Sequence, residues 1–173
     1  MNRHTIIVII SCVVIASTIG YSVFNMLNVG NLEFEWEGKE KFNLFSLMYG
    51  AKLKVCNPSD LPITFNSYEI SSVYDGDKLG TFHLRGSQIP PRSAAVLQGS
   101  FDSADTQTAN IMSLFLDTEV QGTDVTKVDA KKLKITTEIK TSFLGVVPYT
   151  ISKSYGGSEF FDLMNDKSGS FEC

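Results

Sequence analysis

From Thr5 to Leu27 the chain reads TIIVIISCVVIASTIGYSVFNML, without a single formal charge. At about 1.5 Å of rise per residue, a helix of this length reaches across a hydrocarbon layer roughly 30 Å thick. Its β-branched residues are poor helix formers in water. Inside a bilayer, however, every backbone amide must be paired within the segment, and a helix does this where an open strand cannot. Arg3 and His4 precede the run, and Tyr21 and Phe24 fall toward its far end, where aromatic rings favour the interface. Positive charge is retained on the cytoplasmic side. The expected topology is therefore a cytoplasmic N-terminus (1–4), a transmembrane anchor (5–27) and a short linker (28–31), leading to a domain outside the plasma membrane. A cleaved signal peptide begins in the same way, but its apolar core is usually about 7 to 15 residues, whereas this one continues through Val23 to Leu27. An uncleaved anchor is the expectation.

Within the anchor, Cys12 reads as a small apolar residue facing lipid or another helix, because a lipid-modified cysteine would follow the apolar core. Ala16 and Gly20 form a small-xxx-small pair, a spacing that lets a second helix approach. Membrane lipid is thus the first expected partner, and other membrane-protein subunits are the second.

Beyond the anchor about 145 residues remain, the usual size of one domain with its own core. Net charge is -4 with acids and bases interspersed, so no basic face awaits a nucleic acid. The three cysteines, Cys12, Cys56 and Cys173, lack CxxC spacing, and with two histidines in the chain a zinc site is hard to build. Neither GxGxxG nor GxxxxGK[ST] occurs, so no nucleotide or other cofactor is expected.

The domain alternates. LEFEW puts Leu32, Phe34 and Trp36 on one face of a strand. Lys39 to Lys41 form a charged turn, and Phe42 to Val55 reads as a long strand interrupted near Gly50. In NPSDLPI two prolines remove amide donors, so Asn57 to Ile63 must turn. Ile63, Phe65, Tyr68, Ile70 and Val73 mark the next strand. YDGDKLG then sets Asp75, Gly76 and Asp77 where a tight hairpin needs positive φ, with Lys78 to Leu84 as the return. A further strand covers Ser93 to Phe101, with Ala95, Leu97 and Gly99 on one face. Ser103 to Phe115 approximates helical spacing, which predicts a short covering helix. KLKITTEIKT turns Leu133, Ile135, Thr137 and Ile139 inward, and Val147, Tyr149 and Ile151 resume before Gly156 and Gly157. Strands at this spacing predict an all-β, immunoglobulin- or fibronectin-like antiparallel sandwich over 32–160, with a tail at 161–173.

The stretch KLKVCNPSDLPITFNSYEISSVYDGDKLGTF resembles the late embryogenesis abundant type 2, or WHy (water stress and hypersensitive response), family. The matching residues are Val55, Asn57, Pro58, Pro62, Ile63, Tyr68, Gly76 and Gly80. QIPPRSAAVLQGSF and TEIKTSFLGVVPYTISKSYG are similar to later strands of that family. The resemblance implies a fibronectin-like sandwich, often behind a membrane anchor, tied to desiccation and stress tolerance, with no catalytic residue to carry over. The longer, more helical Ser103 to Lys131 stretch departs from the family pattern.

Catalytic constellations are sparse. His83, between Phe82 and Leu84, reads as a structural or exposed histidine, and no Ser-His-Asp grouping can be nominated. Asp102, Asp105, Asp117 and Glu119 lack EF-hand spacing and read as solvating groups, so no metal is expected. Cys56 and Cys173 are a candidate disulfide in an oxidising compartment, or else two unpaired thiols. The functional expectation is a non-catalytic, membrane-anchored extracytoplasmic protein serving stress protection or envelope interaction. The alternative is an accessory single-pass subunit of a larger complex.

Overall fold

A computed structural model of the chain describes residues 2–38, 41, 42, 44–104, 130–165 and 173. Helix α1 (Arg3–Asn28) leads through a 3-10 turn (Val29–Asn31) into nine strands. They are β1 (Glu33–Trp36), β2 (Lys52–Asn57), β3 (Ile63–Thr64), β4 (Ser67–Tyr74), β5 (Asp77–Arg85), β6 (Gln88–Ile89), β7 (Ser93–Ser103), β8 (Leu133–Phe143) and β9 (Val147–Gly156), and helix α2 (Gly157–Asn165) follows.

Period-two alternation decides which faces meet. On β8, Leu133, Ile135, Thr137, Ile139 and Thr141 are buried while their neighbours are not. On β4, Tyr68, Ile70 and Ser72 point inward, so Ser72 takes the core position and Val73 is only half-buried. The seven long strands pair antiparallel in the order β1-β2-β7-β5-β4-β8-β9, and β3 pairs separately with β6. One strand closes this curled sheet into two layers. The first half of β7 pairs with β2 up to Gln98, and from Gly99 onward it pairs with β5. A strand that leaves one sheet for the other must bend at the handover. Gly99 sits there, where a Cβ would fall 2.1 Å from Cζ of buried Phe82. Phe34 of β1 stacks on Tyr68 of β4 with ring centroids 3.8 Å apart, joining the layers across the core.

Several sequence expectations need correction. Phe42 to Val55 is not one strand: Leu44–Tyr49 is a 3-10 turn, and only Lys52 onward joins the sheet. Leu44 and Leu47, three apart, are both fully buried, a period that suits a 3-10 turn and not a strand. The covering helix expected at Ser103 to Phe115 falls outside the described residues except at Ser103, which ends β7, and Ala104. The helix that does cover the core is α2, which buries Phe160 and Met164 one turn apart. It takes in residues 161–165 of the stretch expected as a tail. Asn165 ties its end down: its Oδ1 accepts from Phe42 N at 2.6 Å, and its Nδ2 donates to Phe42 O at 3.2 Å. Of the 28–31 segment, read as a linker, Asn28 ends α1 and Val29–Asn31 is a 3-10 turn whose Val29 is buried in the core.

Candidate functional site

The described residues divide α1 sharply. Every residue from Asn2 to Tyr21 is exposed, while Ser22, Asn25 and Val29 are buried against the sandwich. The helical segment as a whole is long and apolar enough to cross a membrane. Two of its hydroxyls are satisfied within the helix: Ser17 Oγ donates to Val13 O and Thr18 Oγ1 to Val14 O, each at 2.8 Å.

Asn25 makes the junction. Its Oδ1 accepts from Thr64 N at 2.7 Å, and its Nδ2 donates to Thr64 O at 2.8 Å and to Thr141 Oγ1 at 3.0 Å. The side-chain amide pairs with both backbone groups of Thr64 as a neighbouring strand would, completing the ladder edge of β3. Thr141 Oγ1 in turn donates to Thr64 O at 3.0 Å. One turn earlier, Ser22 Oγ accepts from Leu144 N at 2.6 Å, and Tyr21 Oη donates to Pro62 O at 3.2 Å. Sequence reasoning missed this junction. The signal was present as Ser22 and Asn25, polar residues three apart on one face of an apolar run.

The residues of the resemblance serve the fold. Buried Asn57 donates through Nδ2 toward Leu61 O, Ile89 O and Pro90 O, at 2.9, 3.1 and 3.1 Å. Its Oδ1 accepts from Ser59 N at 3.0 Å, an Asx turn that bends the chain through half-buried Pro58 and Pro62. Gly76 has φ +100 in the β4–β5 turn. At Gly80 a Cβ would meet the Phe101 ring at 2.4 Å. Cys56 at the end of β2 is joined to Cys173 by a disulfide, Cα–Cα 6.0 Å, that closes a separation of 117 residues. Ala16 and Gly20 lie on the exposed stretch, and nothing approaches within 4 Å of where a Cβ on Gly20 would stand. Cys12 is an exposed free thiol on the same stretch.

His83 lies in a polar ladder on the outer face of β8, β4, β5 and β7. Its Nδ1 stands 3.7 Å from Glu69, its Nε2 stands 3.6 Å from Asp102, and Lys140 Nζ donates to Glu69 at 2.6 Å. Burial works against the charge on Glu69. The hydrogen bond and charge of Lys140, helped by His83, outweigh it and hold the carboxyl below its ordinary value. Glu69 raises Lys140 in return, chiefly through the same hydrogen bond. In the core, burial pushes the Tyr68 phenol well up, Tyr155 adds to this, and a bond with Thr137 only partly offsets it. Among the described residues no group of three His, Cys, Asp or Glu side chains is placed to hold a metal ion.

No family model and no curated protein matches the chain. Among solved structures it is similar to a crystal structure of a protein from Archaeoglobus fulgidus, at 13% identity and a TM-score of 0.30, over 72% of this chain and 94% of that one.

Proposed function

We propose that the chain is a non-catalytic, single-pass membrane protein whose sandwich is seated on the outer side of the plasma membrane and works as an interaction or protective surface. The observation that carries this reading is the division of α1. An apolar stretch exposed on every side gives way, within one turn, to Ser22 and Asn25, which are locked into the sandwich by hydrogen bonds. Lipid is the solvent that such a stretch requires.

Two independent features support the sidedness. Arg3 precedes the span, which favours a cytoplasmic N-terminus. The Cys56–Cys173 disulfide belongs to an oxidising compartment. The biological role follows the resemblance to the late embryogenesis abundant type 2 family. Asn57, Pro58, Pro62, Gly76 and Gly80 all build turns or close packing, as befits a module that protects or binds without chemistry. Alkaline carbonate extraction combined with proteolysis of intact and permeabilised cells tests the reading. Retention in the pellet with digestion in intact cells is expected. A carbonate-soluble protein, or one cut only after permeabilisation, would falsify the attachment or the sidedness respectively.

The uncovered Ala16 and Gly20 support a second reading, an accessory subunit whose helix packs on a neighbour. Native mass measurement after mild-detergent purification separates the two, since co-migrating chains favour the subunit and a lone protomer removes it.

A further inference from the structure

The turn that closes β8 and β9 gathers Leu144, Val146, Val147 and Tyr149 in exposed positions, with Val146 81% exposed. From Thr141 to Ile151 the sequence TSFLGVVPYTI has no charged residue, while Lys140 and Lys153 flank it. An uncharged apolar tip of this kind suits an apolar surface.

Two hydrogen bonds fix the level of the tip along α1. Thr141 meets Asn25, and three residues further on Leu144 meets Ser22. β8 therefore runs antiparallel to the helix, and each step past Thr141 lies nearer the exposed apolar stretch. Gly145 and Val146 project beyond Ser22 toward it. From Thr5 to Ser22 the helix rises about 26 Å, a few ångströms short of a hydrocarbon layer roughly 30 Å thick. A bilayer that covers the span thus also reaches the level of the turn.

We propose that the β8–β9 turn is a second membrane contact. Leu144, Val146 and Val147 enter the outer boundary of the bilayer that α1 crosses, and Tyr149 lies at headgroup level. The occupant is phospholipid, because the apolar surface of the turn continues that of α1 at the same depth. The inference rests on the anchored reading and adds a consequence to it. Because Asn25 and Ser22 already lock the sandwich to α1, the turn adds a second point of contact that limits the tilt of helix and sandwich as one body. The β4–β5 turn lies at the opposite end, because Tyr74 pairs with Leu133 while Ser67 pairs with Lys140. Along the β8 strand that end is about 33 Å away.

The test uses the full chain carrying Cys12→Ser, reconstituted alone into phosphatidylcholine vesicles. A single environment-sensitive fluorophore is attached through Val13→Cys, Asp77→Cys, Val146→Cys or Val147→Cys in turn. Quenching by shallow or deep lipid-borne nitroxides is compared with quenching by aqueous iodide. The labels at 146 and 147 are expected to be quenched by the shallow nitroxide and shielded from iodide several-fold relative to 77, while 13 responds to the deep nitroxide. If 13 is in lipid and both 146 and 147 behave like 77, the second contact is overturned and the anchor stands. If 13 is itself open to iodide, the anchored reading fails, and the second contact with it.

Discussion

Two hairpins of the sandwich begin their turns with the same pair of positive-φ residues and have opposite chemistry. Asp75 and Gly76 join β4 to β5 with φ of 52 and 100, and Leu144, Gly145 and Val146 join β8 to β9, the first two with φ of 53 and 71. Two successive residues at positive φ are what the tightest hairpin requires, and Asp-Gly or Asn-Gly supplies them at little cost. The first turn is written for water, with Asp75 Oδ2 accepting from Lys132 Nζ at 2.7 Å. The second places a leucine in the left-handed region, which costs an L-residue about 1 to 2 kcal/mol, and surrounds it with exposed valines. The difference teaches that a turn motif fixes geometry, while the residues free to vary within it report the medium in which the turn sits. Every perturbation below either separates the two hairpins or must leave them alike.

The largest effect should be common to both. The disulfide closes a loop that contains the two turns, and in the chain-entropy model opening a loop of this length costs about 5 kcal/mol. Cys173→Ser is expected to lower the urea midpoint of the detergent-solubilised protein steeply, and to reduce amide-exchange protection in β4–β5 and β8–β9 by the same factor. Loss confined to one hairpin would mean that the two do not share a cooperative unit.

Asn25→Ala comes next, and it should separate them. It leaves Thr64 N buried without its partner and removes the link to Thr141, a loss on the order of 3 kcal/mol. Because Asn25 and Ser22 hold β8 to α1 at the end away from the β4–β5 turn, exchange should accelerate first in 139–151. Equal acceleration around Asp75 would show that the junction stabilises the sandwich globally and does not position one edge of it.

Most of the β architecture was legible because alternation is strict: Leu133, Ile135, Thr137 and Ile139, or Ala95, Leu97 and Gly99, carry period two in their spelling. The Asp75–Gly76 turn was equally plain, since its chemistry and its geometry agree. The failures occurred where one residue type serves two purposes. Phe42 to Val55 is apolar enough to pass for a strand, and only the three-residue spacing of Leu44 and Leu47 betrays the 3-10 turn. In α2, Phe160 and Met164 are a single helical step, too short to announce a period, and they follow a Gly156–Gly157 pair that looks like an ending. At the junction the apolar run conceals its own end. Ser22 and Asn25 read as tolerated polar residues until their partners, Leu144, Thr64 and Thr141, are brought to them by strands more than 35 residues away in sequence.

Exchanging the chemistry of the two turns breaks the comparison most directly. Asp75→Leu should cost about 1 to 2 kcal/mol, through left-handed strain and a lost surface pair. Leu144→Asn carries two opposed effects. It relieves strain worth about 1 kcal/mol, yet withdraws a side chain that is 44% exposed, so that burying the remainder in an apolar phase is worth about 1 kcal/mol. In a phosphatidylcholine bilayer the two should therefore nearly cancel in the exchange protection of β8–β9. If that turn lies in water instead, only the relief of strain remains and Leu144→Asn stabilises.

The smallest effect concerns the pair that bridges the strands leading into the two turns. Glu69 of β4 and Lys140 of β8 meet at 2.6 Å, with Lys140 partly exposed, so the pair is worth under about 1 kcal/mol. Glu69 is held below its ordinary value of 4.5, so its contribution is fully present above that pH and is lost as pH falls through the lower folded value. Lys140 is raised above 10.5, so its contribution is present below that pH and is lost as pH rises through the higher folded value. Stability of the detergent-solubilised protein should therefore fall on both sides of a plateau, and Lys140→Gln should flatten the acid side by letting Glu69 return toward its ordinary value. Because the pair links β4 to β8 and belongs to neither turn, acid should release the Asp75 and Leu144 hairpins together. Moving the titration from detergent to vesicles rich in phosphatidylserine draws protons to the surface, and the acid loss should then begin at a higher bulk pH. The shift is expected because Lys140 borders the β8–β9 turn that sits at the headgroups. An acid limb identical in the two media would place Lys140 beyond the reach of the lipid surface.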